Sequence, residues 1–248
     1  MLRFFSKLRL KLFSPSRQKY FLYALGEIAL IVIGVLIALS INNWNEQQKD
    51  DKKEIAILSG IRDNLRLDTI DINVNIRIYE RMLETDSLLL RTLVTQQPFD
   101  STHISYLLNL YVSDLRLVLH ESAFQEARDE GLEIIGNEEL RSSIRRLYEF
   151  GYPYLLDAEN SETHISKSYL QKYLFDNPLF SYTVAGDELT IAVSPEAYQQ
   201  LIADQEFHLM LGIYKSYNEG RLKQRYQLTL KIVLELIEQI EEELERLQ

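Results

Sequence analysis

Phe21 to Ile41, FLYALGEIALIVIGVLIALSI, is an apolar run of 21 residues broken by a single ionisable side chain, Glu27. At 1.5 Å of rise per residue it makes a helix about 30 Å long, the thickness of the hydrocarbon core of a bilayer. A surface helix of a water-soluble domain keeps a polar face, and this run has none. It is therefore expected to be a transmembrane helix over residues 20–41. Arg3, Lys7, Arg9, Lys11, Arg17 and Lys19 precede it and no acidic residue does. By the positive-inside rule, residues 1–19 are then a basic cytoplasmic segment and residues 42–248 an extracytoplasmic domain.

A cleaved signal peptide is the competing reading, because Ala38-Leu39-Ser40 loosely matches a small-x-small cleavage site. The basic region is too long and the apolar run exceeds the usual 7 to 15 residues of a signal, which favours an uncleaved anchor. Tyr20, Tyr23 and Trp44 bracket the span where the headgroup layers would lie. Leu2, Phe5, Leu8 and Leu12 recur at helical spacing among the basic residues. Met1 to Phe13 reads either as an amphipathic segment on the inner leaflet or as a plain basic flank. Within the span, Glu27 is costly in hydrocarbon, and Gly34 with Ala38 forms a small-xxx-small pair that lets helices approach. These three residues are the candidate intramembrane contacts.

Beyond the span the chain carries 21 basic and 36 acidic residues, a net charge of −15. Such a surface repels nucleic acid and anionic lipid, so membrane lipid around the span and another protein, either a second copy or an envelope component, are the expected partners. The chain has no cysteine, which excludes disulfides, thiolate metal sites and cysteine nucleophiles. Only 9 Gly and 5 Pro in 248 residues argue for long helices with few turns.

Two long patterns support an all-α fold. Ile55, Leu58, Leu65, Ile72, Ile76, Tyr79, Leu83 and Leu90 mark a seam, interrupted by Arg62, Thr69 and Asp86, on a stalk helix continuing from the span. Tyr226, Leu230, Val233, Ile237, Ile240, Leu244 and Leu247 mark a C-terminal helix expected to pack antiparallel to it, in a helical bundle with coiled-coil-like seams. Gln97-Pro98 stops the first helix, and Asp100 or Ser101 caps a second running to about Val118. Ser122 is expected to cap a helix ending at Gly131, and Asn137 one that pauses at Pro153 and resumes to about Phe175. One small β-hairpin is expected over residues 181–193, followed by Ser194-Pro195-Glu196 and Asp204 as helix starts.

Leu22 to Glu46, LYALGEIALIVIGVLIALSINNWNE, resembles the N-terminal block of a family of uncharacterised single-span membrane proteins found mainly in Bacteroidota. Ser122 to Leu147, SAFQEARDEGLEIIGNEELRSSIRRL, resembles its second block, although Ala127 to Glu130 departs from a Leu-Lys-Ser-Ser-like run there. The resemblance implies an inner-membrane anchor with a periplasmic helical domain. It implies no activity, because the family is a domain of unknown function.

No nucleotide-binding, hydrolase or paired-histidine motif occurs, and His103, His120, His164 and His208 are scattered. No catalytic, cofactor-binding or metal residue is assigned, and no cofactor is expected. Tyr148, Tyr152, Tyr154 and Tyr173 form the candidate ligand or partner surface. The expected function is that of a non-enzymatic scaffold or accessory subunit of an envelope complex. The alternatives are a ligand-sensing module signalling through the membrane helix to a separate partner and, third, an envelope hydrolase marked by acidic residues and a histidine in one cleft.

Overall fold

In the computed structural model, which describes residues 15–112, 116–185 and 188–247, the apolar run lies within helix α1 (Pro15–Val94). An 18-residue window of that helix has a mean hydropathy of 2.6 and no buried residue. Among the described residues, one helix is long and apolar enough to cross a membrane, its Leu30, Ile33, Leu36 and Ile37 side chains all turned outward and exposed. Glu27, Gly34 and Ala38 are exposed in the same stretch, and a Cβ added at Gly34 would meet nothing within 4 Å. The amphipathic segment considered for Met1 to Phe13 lies outside the described residues. Two compact units divide the chain, Met1–Lys53 and Glu54–Gln248.

The second unit is built from three helical rods. The first is α1 from Glu54 onward. The second joins α4 (Glu138–Arg146), α5 (Tyr152–Ile165) and α6 (Lys172–Asp176) through wide π turns at Leu147–Gly151 and Ser166–Gln171. The third joins α8 (Gln205–Tyr217) and α9 (Lys223–Leu247) through a π turn at Asn218–Leu222. Helices α2 (Ser101–Asn109), α3 (Ser122–Glu130) and α7 (Pro195–Ala203) and a hairpin complete it. Polar contacts give the rod directions: Arg66 to Glu241 at 2.6 Å, Asn75 to Tyr226 at 3.0 Å and Lys223 to Glu80 at 3.0 Å place α1 and α9 antiparallel. Asn137 to Glu243 at 2.8 Å and Arg225 to the Tyr154 carbonyl at 2.9 Å run the second rod antiparallel to α9 as well.

The buried seam of α1 is Ile61, Leu65, Asp68, Ile72, Asn75, Tyr79, Met82, Asp86, Leu89 and Leu93, in alternating steps of four and three. This corrects the expected seam: Ile55, Ile76, Leu83 and Leu90 are only half-buried, while Asp86 belongs to the core. On α9 the core positions are Tyr226, Thr229, Val233, Leu236, Ile240 and Leu244, with Leu230, Ile237 and Leu247 at the flank. The π turns have a physical reason. Tyr214, Asn218, Leu222 and Tyr226 are all buried at steps of four, as are Glu162, Ser166, Leu170 and Leu174. Steps of four run ahead of 3.6 residues per turn, and one wider turn restores the phase.

Helix ends follow the capping chemistry with two corrections. Asp100, Asn137, Ser194 and Asp204 accept from the N–H groups of His103, Leu140, Ala197 and Phe207, as expected. Ser122 is not a cap. It is the first helical residue, and its hydroxyl accepts from Asn64. Helix α2 ends at Asn109, followed by a 3-10 turn over Leu110–Val112, well short of Val118. The backbone of Leu117 and His120 leaves the helix to donate to buried carboxylates instead. Pro153 does not break the second rod, because it enters in the first turn of α5 just after a π turn. Gly60 permits the close crossing of α3, since a Cβ there would stand 2.9 Å from the Ala123 Cβ.

The hairpin pairs β1 (Phe180–Ala185) with β2 (Glu188–Val193), Tyr182 opposite Ile191. Helix α2 covers the outer edge of β2. The Ile191 N–H donates to Asn109 at 2.6 Å, its carbonyl accepts from the same amide at 3.2 Å, and the Val193 N–H donates to Ser105 at 3.2 Å. Side-chain groups on one helix thus do the work of a third strand along Ile191–Val193 and cover that part of the edge.

Candidate functional site

The six bulkiest fully buried side chains among the described residues are tyrosines: Tyr79, Tyr111, Tyr152, Tyr198, Tyr214 and Tyr226. A buried phenol needs an acceptor, and four of these find a buried carboxylate. Tyr152 donates to Asp68 at 2.6 Å, Tyr226 to Glu159, Tyr111 to Asp86 and Tyr214 to Glu162. The rods place these pairs in file, because Asp68 and Asp86 occupy seam positions of α1 while Glu159 and Glu162 sit three apart on the facing side of α5.

Two of the carboxylates also hold the segment between α2 and α3. Asp68 accepts from both the His120 N–H and its Nδ1 at 2.9 Å, and Glu159 accepts from the Leu117 N–H at 3.0 Å. A buried acid costs several kcal/mol when ionised, so it persists either with hydrogen-bond donors and nearby cations or with a proton. Asp86 follows the second course. Burial lifts its pKa from 3.8 to about 7, the nearby Glu162 charge adds to this, and the Tyr111 hydrogen bond and Lys215 oppose it. Its Oδ2 is buried without a hydrogen-bond partner, in keeping with a carboxyl that carries a proton. Burial likewise lifts Glu159, against the Tyr226 and Leu117 hydrogen bonds.

The four candidate tyrosines do not converge on one pocket. Tyr148 and Tyr152 are closed in the core, in edge contact at 5.3 Å, with Tyr148 stacked on Phe124 at 4.2 Å. Tyr154 points to the surface, 56% exposed, in a groove of about 570 Å³ between the second rod and α9. Tyr173 lies in a different groove of about 650 Å³ at the base of the hairpin. There its ring packs on Phe207 at 4.8 Å and its hydroxyl donates to the cap residue Asp204 at 2.8 Å. Burial opposes ionisation of Asp204, but the Phe207 N–H and the Tyr173 hydroxyl hold its pKa below the usual carboxylate value.

His120 is oriented by Asp68, His164 pairs with Ser168 at 3.3 Å, and His208 contacts the Leu201 carbonyl at 2.8 Å. Among the described residues no cluster of three or more His, Cys, Asp or Glu is placed to hold a metal. Asp68, Asn75, Glu159 and Glu162 are core groups that no motif of the sequence singles out as candidates. The signal was present in part, since Asp68, Asn75 and Asp86 fall on the same four-three phase as Leu65, Ile72 and Tyr79.

A family model described as a family of unknown function, DUF6090, matches residues 27–165, more than half of the chain. The chain belongs to DUF6090. No curated protein and no solved structure is detectably similar to it. The DUF6090 region takes in most of the span and the acids Asp68, Asp86, Glu159 and Glu162 with Tyr111 and Tyr152. It stops before Tyr214 and Tyr226, which complete two of the four pairs from the third rod.

Proposed function

We propose that this DUF6090 protein is a bitopic inner-membrane protein, N-terminus in the cytoplasm and helical domain in the periplasm, acting as a non-enzymatic scaffold or accessory subunit of an envelope complex. The observation that carries this reading is the apolar stretch exposed on all faces, where the domain's long helices each bury an apolar stripe. The six basic residues before the span support the orientation. In the domain, the buried acids are spent on tyrosine hydroxyls and loop N–H groups, an arrangement that builds rigidity. Purification of the tagged protein from its native membrane in mild detergent, with mass spectrometry of what stays bound, tests the role. A recurrent stoichiometric membrane partner, or a stable assembly of the protein with itself, is expected; a lone monomer overturns the scaffold reading. Reporter fusions at the C-terminus test the orientation, and a cytoplasmic reporter signal overturns it.

A second reading, a ligand-sensing domain acting through the span on a separate partner, has the groove beside Tyr173 in its favour. Its 650 Å³ is the size of a small-molecule site, and Tyr169, Tyr173, Phe207 and Met210 line it. Retention of a small molecule by purified protein, lost in Phe207→Ala, would move the assignment to this reading.

A further inference from the structure

The groove between the second rod and α9 combines an apolar trough with a guanidinium whose donors are largely unspent. Arg225 is only 15% exposed on its side chain and lies 3.6 Å from the centre of the Tyr154 ring. One of its N–H groups donates to the Tyr154 carbonyl at 2.9 Å, and its nearest carboxylate, Asp157, is 3.9 Å away and 77% exposed. Its other N–H groups have no hydrogen-bond partner among the described residues. A guanidinium so far withdrawn from water and so weakly neutralised leaves room for an anion.

From Arg225 the trough runs along α9 past Leu228, Ile232 and Leu236 to Gln239, about 21 Å at 1.5 Å per residue. Its other wall is Leu147, Phe150 and Gly151, the π turn of the second rod. Phe150 and Leu228 remain 67% and 55% exposed, a poor arrangement for two large apolar side chains unless something covers them. The remaining charged groups of the lining are Arg146, which makes no ion pair or hydrogen bond among the described residues, and Glu235, which lies 3.7 Å from Lys231. The net charge of the lining is thus positive on a domain that is strongly acidic.

We propose that this groove binds a single-chain carboxylate amphiphile, its carboxylate on Arg225 beside Tyr154 and its hydrocarbon along Leu228, Phe150 and Ile232. A long narrow apolar trough with one cationic end fits a chain with an anionic head, and its 570 Å³ suits one such molecule.

The test uses the full chain in nanodiscs of phosphatidylcholine and a palmitate carrying a photoreactive diazirine on its chain, with crosslinked residues mapped by mass spectrometry. Crosslinks are expected on the Phe150 and Leu228–Ile232 segments, and competition is expected from palmitate and not from hexadecanol, which lacks the charge. Arg225→Gln is expected to lower labelling about tenfold or more, the loss of a charge-assisted contact. Leu228→Asn, at an exposed position that does not threaten folding, is expected to lower it about threefold through lost apolar contact. Labelling confined to the apolar span, equal competition by hexadecanol, or labelling unchanged in both variants would overturn the proposal. So would crosslinks between two copies through Phe150 and Leu228 that palmitate does not displace, which would make the groove a contact between copies.

Discussion

The span and the α1 seam are parts of one helix read by opposite rules. Between Ala24 and Ile41 apolar side chains face every direction and stay exposed; from Ile61 to Leu93 the buried ones keep to one stripe, and that stripe admits Asp68, Asn75 and Asp86. In the first region composition alone specifies the surroundings, because hydrocarbon rewards apolar groups on all faces and supplies no hydrogen bonds. In the second the surroundings are other helices, which can bring a hydroxyl or an N–H to each buried acid. The lesson is that a polar residue at a seam position is a reason to look for its partner before counting it as an interruption.

The largest effect expected on this contrast comes from Tyr226→Ala. It removes the ring packed 5.4 Å from Tyr79 and the donor to Glu159 and Asn75's partner at once, and should cost about 4 kcal/mol in urea unfolding of the domain. Ile33→Arg in the span should disfavour membrane insertion by about 3 kcal/mol, read in a glycosylation-type insertion assay, while leaving the unfolding midpoint of the domain unmoved. An equal loss of domain stability in that variant would erase the distinction between the two regions.

Asp86→Asn probes a buried acid of the seam through pH. The folded-state pKa is raised, from 3.8 to about 7, so the folded protein holds a proton that the unfolded chain has lost across that window. The resulting stability is full below about pH 4, falls as pH rises to about 7 and is flat above, with a steepest slope of about 1.4 kcal/mol per pH unit. Asn keeps an acceptor for Tyr111 and has no proton to lose. The variant is therefore expected to gain on the wild type as pH rises from 4 to 7, and parallel stability curves would show that Asp86 does not titrate there. The smallest effect is expected of Asn109→Ala, about 1 kcal/mol, with faster amide exchange at Ile191 as the β2 edge opens.

Much of the local structure was legible because it depends on near neighbours in the chain. Asn137, Ser194 and Asp204 start helices where their side chains reach an N–H three residues on, and the hairpin falls between Phe180 and Val193 as the β-favouring pieces indicate. The candidate site was less legible. Tyr152 and Tyr154 stand two residues apart and face opposite sides of α5, but that the core lies on the Tyr148 and Tyr152 side follows only from the packing of Phe124 on α3 and Asp68 on α1 against it. The early end of α2 was equally hidden, because it is drawn out by acids on α1 and α5 that lie 52 and 42 residues away in the chain.

An apolar segment of membrane-spanning length, a helical class with one hairpin, and the family follow from composition or from local pattern and need no structure to be read. Which of the many Asp and Glu are buried, which tyrosine each one meets, and the withdrawal of Arg225 over Tyr154 beside an open apolar trough depend on how the helices pack. A charged side chain prefers water to the same degree anywhere in the chain, and only a partner brought in from a distant helix overcomes that preference.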